Sequence, residues 1–472
     1  MPRLLHRTLP SDLDTPVAAY LRLAKGEAWS FLFESVEGGM VRGRYSLMGI
    51  RPDIIWKCER GGKVTVNGKE EYRKPLESLR HYLSASRIVP PENLPPMCGG
   101  GLFGYLGYDF IHVFEDIPDN NPDTLAVPDG LMFRPTLLAV FDSFQNSITL
   151  AAPVWEGTSE AKANALLDMA AERLSAPFPP EPVASSSPLV FPDAVGQENA
   201  EHYRKAVLAC QDYIKAGDAF QIVPSHRYSV PFSLSSTAYY RSLRRLNPSP
   251  FLFHLKLDGF AVVGSSPEIM VRVRDGKVTI RPLAGTRPRG KTPDEDKALE
   301  RELLADEKER AEHLMLLDLG RNDVGRVSKV GTVRATEQFV IERYSHVMHI
   351  SSNVEGELRG DCDAVDALMA GFPAGTVSGA PKVRAMEIID EVERERRGVY
   401  GGAVGYLAGN GTMDMCIALR TAVLKDGKLY LQAGAGVVAD SVPESEWQET
   451  MNKSRALLRA AEQAPAYQWP LL

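Results

Sequence analysis

The chain has 472 residues, 44% of them hydrophobic and 24% charged, a balance that describes a folded globular protein and excludes intrinsic disorder. Its length predicts two or three domains or one unusually large one. No apolar run approaches the length of a membrane span, and 54 basic against 61 acidic side chains give a net charge of -7 without a basic stripe, so neither a membrane nor a nucleic acid is an expected partner.

In chain order, the opening MPRLLHRTLPSDLD has an apolar stretch of only two leucines, too little for a signal-peptide core, and the expected location is the cytoplasm. Short β-rich runs follow at FLFES (31 to 35), DIIWKC (53 to 58) and TLLAVFDS (136 to 143), with a helical pattern at 155 to 175. Prolines and a serine run then interrupt the pattern at 176 to 197, which reads as a linker between regions 1 to 175 and 198 to 472. Beyond it, Tyr203, Val207, Cys210 and Ile214 share one face of a helix at 199 to 216, and Gly217 supplies its C-cap. Strands are predicted at 218 to 229, 260 to 273, 277 to 284, 401 to 408, 414 to 424 and 428 to 433, with Asp-Gly hairpin turns at 275 and 426. Helices are predicted at 294 to 319, 364 to 370, 381 to 395 and 444 to 463. This order gives an α+β fold of mostly antiparallel sheets with flanking helices. The cysteines (Cys58, Cys98, Cys210, Cys362, Cys416) form no CxxC pair and read as reduced core residues.

GTRPRGKT (285 to 292) matches the phosphate-binding P-loop pattern. Pro293 and the acidic Asp294, Glu295 and Asp296 follow it, however, and those carboxylates occupy the helix N-terminus that a phosphate would need. Glu309 with Glu312, and Glu446 with Glu449, are spaced i, i+3, so each pair lies on one helical face. The second pair follows the glycine turn AGAG (433 to 436) and a predicted cap at Ser445. Four convergent carboxylates would make a hard oxygen site suited to Mg²⁺. His349 and His346 are compatible with core histidines, Arg420 ends an apolar strand and needs an anionic partner, and Tyr400 precedes Gly401 and Gly402, where backbone can approach a ligand.

Nine blocks in order carry a resemblance: FQIVPS (220 to 225), VGSSPE (263 to 268), RPLAGTRPRG (281 to 290), DEKERAEHLMLLDLGRND (306 to 323), ERYSHVMHI (342 to 350), FPAGTVSGAPK (372 to 382), YGGAVGY (400 to 406), CIALR (416 to 420) and AGAGVVADSVPESEWQET (433 to 450). The second part of the chain resembles the chorismate-binding enzymes, and the whole length resembles the anthranilate synthase component I family. The resemblance implies an N-terminal regulatory domain (1 to 175) and a chorismate-binding catalytic domain (198 to 472). It implies a Mg²⁺-dependent lyase that makes anthranilate and pyruvate from chorismate and ammonia, under tryptophan feedback. Glu312 and Glu449 resemble direct Mg²⁺ ligands, and Glu309 and Glu446 the carboxylates that hold its waters. Tyr400, Arg420 and the turn Ala433, Gly434, Ala435 and Gly436 resemble the site for the enolpyruvyl carboxylate, and Thr376 lines the ring. Glu268 matches the acid that protonates the departing hydroxyl, and His349 the histidine that expels pyruvate, a proton transfer suited to an imidazole titrating near working pH.

Gln221 stands where water-adding relatives carry a lysine base, and Ala284 where aminodeoxychorismate synthases carry a lysine; component I of the latter is the alternative enzyme. Glu34 and Ser35, with Pro250, Phe251 and Leu252, resemble the tryptophan feedback site. No glutaminase nucleophile turn G-x-C-x-G is present, so the expected partner is a separate glutamine amidotransferase subunit, component II.

Overall fold

The strand pairings are antiparallel throughout, as the alternation of hairpins and helices predicts. The computed structural model describes residues 2–468 apart from 38–40, 93, 156, 178–188, 193–195 and 345–346. Most of the predicted linker and His346 therefore lie outside the described residues. Two long strands, Tyr45–Glu59 and Gly130–Asp142, pair along most of their length and anchor two branches of sheet. One branch continues from Ser30–Glu34 through Phe251–Leu257, Phe260–Ser266, Thr421–Lys425 and Lys428–Gly434 to Ser225–Pro231. The other runs through Gly101–Leu106, Ala403–Ala408, Met413–Ile417, Ile269–Arg274 and Lys277–Ile280 to Val347–Glu357. Leu283–Pro288 and Arg334–Arg343 both add to Val347–Glu357. Each branch thus contains strands from before and after residues 176 to 197.

The inner faces meet in one apolar cluster that takes Phe31, Phe253, Val262 and Val423 from one branch and Phe103, Val404 and Cys416 from the other. Phe31 stacks on Phe103 with centroids 4.6 Å apart. Burying each such ring contributes roughly 1.5–3 kcal/mol, so this layer holds the branches face to face. Helices cover the outer faces. Tyr20, Leu167, Tyr239 and Leu457, from helices Pro16–Leu23, Glu160–Ser175, Ser236–Leu246 and Pro443–Gln463, close one side. Leu79, Leu317, Leu368 and Met386, from Pro75–Ser84, Glu307–Val327, Ala364–Gly371 and Lys382–Val392, close the other. No described helix is long and apolar enough to cross a membrane, and the five cysteines are unpaired.

Several predicted elements are divided, each for a local reason. The strand at 260 to 273 breaks at Pro267, which has no N–H for a ladder, and its halves join different branches. The strand at 414 to 424 breaks where Arg420 takes φ +47°. The strands at 218 to 229 and 277 to 284 break at Val223–Pro224 and Arg281–Pro282. The helix at 294 to 319 is two helices, Pro293–Ala305 and Glu307–Val327, because the Asp306 carboxylate accepts the N–H groups of Lys308 and Glu309 and caps a new start. The helix at 381 to 395 stops at Val392. The last helix starts at Pro443, the favoured first position for proline, so Ser445 lies inside it and caps nothing. Gly217 does close its helix in the left-handed region at φ +89°.

Gly104 and Gly405 face each other across the pairing of Gly101–Leu106 with Ala403–Ala408. Both have φ in the region that favours glycine, and an added Cβ would lie 2.1 Å from the carbonyl oxygen of Leu131 or Asp414 respectively. Backbone cannot give way as a flexible side chain would. Gly104→Ala is therefore expected to destabilise the protein by about 3 kcal/mol or more, the upper end of overpacking costs, as measured by urea unfolding; a loss under about 1 kcal/mol would show that the strands separate easily.

Candidate active site

Two hydrogen-bonded strand pairs pass from one branch to the other side by side. Phe260–Ser266 gives way to Ile269–Arg274 as Met413–Ile417 gives way to Thr421–Lys425, and cross-bonds tie the two corners: Ser265 N–H to Arg420 O at 3.1 Å and Ile417 N–H to Glu268 O at 3.0 Å. Glu268 and Arg420 are thereby fixed at adjacent corners. Glu268 is 5% exposed. Burial pushes its carboxyl up to about 8, against the opposing pull of the Leu283 N–H at 3.4 Å and the Arg420 charge. The Thr376 hydroxyl also favours the anion, although its buried oxygen has no hydrogen-bond partner among the described residues. Glu268 is thus largely protonated at neutral pH. The Arg420 guanidinium, its pKa lowered by burial, makes no ion pair or hydrogen bond with any described residue. An unpaired cation at that depth calls for an anionic ligand.

His349 sits in Val347–Glu357, where its register partner is Thr286 of Leu283–Pro288. Its Nδ1 lies 3.0 Å from both Gly285 O and the Thr286 hydroxyl. With the proton assigned to Nδ1 for the carbonyl, Nε2 is left as an acceptor. The ring edge packs on Tyr344 at 5.5 Å. The imidazole keeps some accessible surface yet lies deep in the molecule, and burial beside the Arg420 charge lowers it to about 4. This corrects the expectation of a group titrating near working pH: His349 is neutral there. Ala284 is buried opposite Ile350.

Tyr400 is buried, and its phenol is raised to about 12. A Cβ on Gly434 would stand 2.7 Å from the backbone Pro224 O and 3.1 Å from the Tyr400 hydroxyl, and a Cβ on Gly436 would stand 2.5 Å from Gln221 Nε2. The predicted glycine turn is not one: Ala433 and Gly434 end the strand Lys428–Gly434, opposite His226 and Ser225, and with Ala435 and Gly436 they form a tight cradle without room for larger side chains, in which the Ala435 N–H is already shared between Pro224 O and the Tyr203 hydroxyl. The glycines after Tyr400 have another reason. A Cβ on Gly402 would lie 2.3 Å from Leu106 O, so the close approach there is to the chain's own backbone rather than to a ligand.

The acidic pairs come from two helices, Glu309 and Glu312 on Glu307–Val327 and Glu446 and Glu449 on Pro443–Gln463. Burial, with the charges of Glu309 and Glu449, raises the Glu312 carboxyl; burial, with the charge of Glu449, raises Glu446. Gln221 Nε2 donates to Glu312 at 3.1 Å, Arg287 to Glu309 at 3.2 Å, and Lys453 pairs with Glu449 at 2.7 Å while donating to Gly434 O at 3.1 Å. No group of three or more His, Cys, Asp or Glu among the described residues stands gathered as a finished metal cage. The donor set is still of the hard-oxygen kind that suits a divalent cation: Arg287 and Lys453 pair with Glu309 and Glu449, whereas Glu312 and Glu446, both raised, have no cationic partner among the described residues. Lys453 was not singled out by the sequence, since at i, i+4 from Glu449 it reads as an ordinary helix-surface pair.

A cavity of about 890 Å³ lies on the far side of the Glu268 corner. It brings together Glu34, Ser35, Pro250, Phe251 and Leu252, and adds Tyr406, Asp414 and the arginines Arg272 and Arg274. The Glu34 carboxylate accepts from Tyr240 at 2.5 Å and Arg244 at 2.8 Å. The P-loop look-alike is closed to phosphate: the Gly290 and Lys291 N–H groups donate to Asp296 and Glu295.

The family model for the chorismate binding enzyme matches residues 44–459. The chain is 55% identical to anthranilate synthase component 1 of Cereibacter sphaeroides, covering 98% of this chain and 95% of that one. It is 48% identical to the Thermus thermophilus protein of the same name, covering 98% and 99%. The solved structure of anthranilate synthase component I from Streptococcus pneumoniae superposes with a TM-score of 0.80 at 39% identity, covering 88% of this chain and 92% of that one. The menaquinone-specific isochorismate synthase of Escherichia coli, at 20% identity and a TM-score of 0.72, shares the fold.

Because the folded pKa of Glu268 lies near 8 against 4.5 when exposed, the native state holds a proton that the unfolded state has lost between those values. Stability should then fall with pH relative to Glu268→Gln by about 1.4 kcal/mol per unit, and the gap should level off above about pH 8. Urea unfolding of both proteins from pH 4 to 9 checks this; a constant gap would mean that Glu268 is ionised in the folded protein.

Proposed function

This chain belongs to the chorismate-binding enzymes, within the anthranilate synthase component 1 group, and on that premise we propose that it converts chorismate and ammonia to anthranilate and pyruvate. Ammonia would come from glutamine through a separate amidotransferase subunit, and L-tryptophan would inhibit. The observation that carries the reading is the juxtaposition of a protonated buried acid, Glu268, with a half-buried cation, Arg420, that has no ion-pair partner among the described residues, at the two cross-bonded corners.

Chorismate is a dianion that loses a ring hydroxyl and then an enolpyruvyl group. Arg420 and the Tyr400 hydroxyl, with the glycine cradle at 433 to 436, would hold the enolpyruvyl carboxylate. Glu312 and Glu449 directly, and Glu309 and Glu446 through water, would hold a Mg²⁺ ion, which when bound supplies positive charge for the ring carboxylate. Glu268 donates its proton to the departing hydroxyl, so that water leaves as ammonia attacks the ring carbon beside the carboxylate. Thr376 lines the ring beside that acid. Gln221 cannot take a proton near pH 7, which disfavours water as the nucleophile. The Ala284 position offers no amine, which favours this reaction over the aminodeoxychorismate alternative. In the second step the neutral Nε2 of His349 takes the ring C–H proton; the ring C–O bond breaks, the ring becomes aromatic, and enolpyruvate departs and tautomerises to pyruvate.

Incubation with chorismate, ammonium and Mg²⁺ should give fluorescent anthranilate and equimolar pyruvate, and EDTA should stop the reaction. Glu312→Gln should lower kcat/KM by about 100-fold or more, since a ligand to the ion that faces the substrate is lost. Turnover that is indifferent to EDTA, or a para-aminobenzoate precursor as product, would overturn the reading.

Feedback is tested separately at the 890 Å³ cavity. L-tryptophan should bind the wild-type protein in calorimetry and inhibit it, with the indole against Pro250, Phe251 and Leu252. Ser35→Arg, which fills that space, should abolish both effects and leave uninhibited turnover within about threefold. Inhibition that persists in Ser35→Arg would place the effector elsewhere.

A further inference from the structure

Behind the candidate site lies a guanidinium that the mechanism does not use. Arg397 is 2% exposed, and its N–H groups are divided among three partners. Nη1 donates to Val377 O at 2.6 Å, Nη2 to Val223 O at 2.7 Å and to Glu393 at 2.6 Å, and Nε to both Glu393 oxygens at 3.1 Å. Glu393 also accepts the backbone N–H and hydroxyl of Ser225, at 2.7 and 2.9 Å. Above and below, the cation lies 4.4 Å from the Tyr108 ring centroid and 5.7 Å from that of Tyr400.

These partners are not a random sample of the core. Val377 follows Thr376, which lines the reacting ring in the reading above. Val223 and Pro224 interrupt the strand that carries Gln221, and Pro224 O receives the Ala435 N–H of the glycine cradle. Tyr400 supplies the hydroxyl that faces Gly434. The Val377 and Val223 carbonyls lie in irregular backbone beside the site and accept from Arg397, so they would lose that donor if Arg397 were absent. A buried ion pair is a poor source of stability, since apolar packing of the same volume does as well or better. What apolar side chains cannot do is bind two loop carbonyls and a carboxylate at once, in the fixed fork of a guanidinium.

We propose that Arg397 is a positioning residue for substrate binding, which sets the Tyr400 hydroxyl and the adjoining glycine cradle at the place of the enolpyruvyl carboxylate. The proposal rests on the reading of Tyr400 given under the proposed function. Arg397 touches no substrate; it acts through Tyr400. Its charge opposes the effect of burial on the phenol, which keeps that hydroxyl a good hydrogen-bond donor.

The test is a double-mutant cycle read on KM for chorismate, with the full chain, Mg²⁺ and saturating ammonium. Arg397→Lys and Tyr400→Phe should each raise KM about tenfold with kcat held within about threefold, and the double variant should be no more than about twofold worse than either, because both act at one hydroxyl. The KM for ammonia should not move. Multiplicative effects in the double variant, or a parallel loss in kcat and in both KM values, would overturn the proposal, since that is what general loosening of the core produces. Should Arg397→Lys fail to fold, Glu393→Gln keeps the guanidinium and loosens its anchor. It should raise KM for chorismate in the wild-type background and leave it unchanged in the Tyr400→Phe background, and a rise that persists there overturns the proposal. Tyr400→Phe with an unchanged KM would refute the role of Tyr400 itself and the proposal with it, whereas absence of any turnover by the wild-type chain refutes the proposed function.

Discussion

The side-by-side passage of two paired strands from one branch of the sandwich to the other is the constraint on which the rest depends. Neither corner could move alone, because Ser265 is bonded to the Arg420 carbonyl and Ile417 to the Glu268 carbonyl. Pro267 releases one strand from its ladder, and the left-handed backbone of Arg420 turns the other. A break in regular pairing at the centre of a dense core is costly unless its polar groups find partners, and here the two corners satisfy each other. The consequence is a carboxyl and a guanidinium carried in two short breaks between strands, each held in place by the other's backbone bond.

Burial then divides the labour of the ionisable groups. The same desolvation that raises Glu268 to about 8 lowers His349 to about 4. At neutral pH the carboxyl carries a proton and the imidazole does not, the reverse of their order in water. One physical cause thus pushes two titratable groups in opposite directions. Arg420 shapes both, favouring the Glu268 anion and disfavouring the His349 cation, yet burial remains the first cause of each shift.

The wall between this site and the large cavity is one residue thick in places. Pro267 and Ile269 line the cavity while Glu268, between them, accepts the Leu283 N–H; Leu283 and Tyr344 line the cavity as well, and Tyr344 packs on His349.

The amino-acid sequence by itself determined the elements and much of the chemistry. The 3.6 period around Tyr203 and Cys210, the Asp-Gly turns, the i, i+3 acidic pairs and the acidic helix start that disqualifies GTRPRGKT are all local signals, and local signals survive in a single chain. The ordered blocks around Glu268, His349 and Arg420 carried the family. Tertiary structure decided the rest. Nothing in the charged run EVERERRG (391 to 398) marks Glu393, Arg396 and Arg397 as buried, because the partners that accept the two arginines, Val223, Val377 and Asp129, are distant in sequence. The broken strands at Pro267 and Arg420 read as continuous apolar runs, since the choice between one sheet and two depends on what packs against each half. The protonation of Glu268 and the neutrality of His349 depend on depth, and depth is a property of the packed molecule that no window of sequence contains.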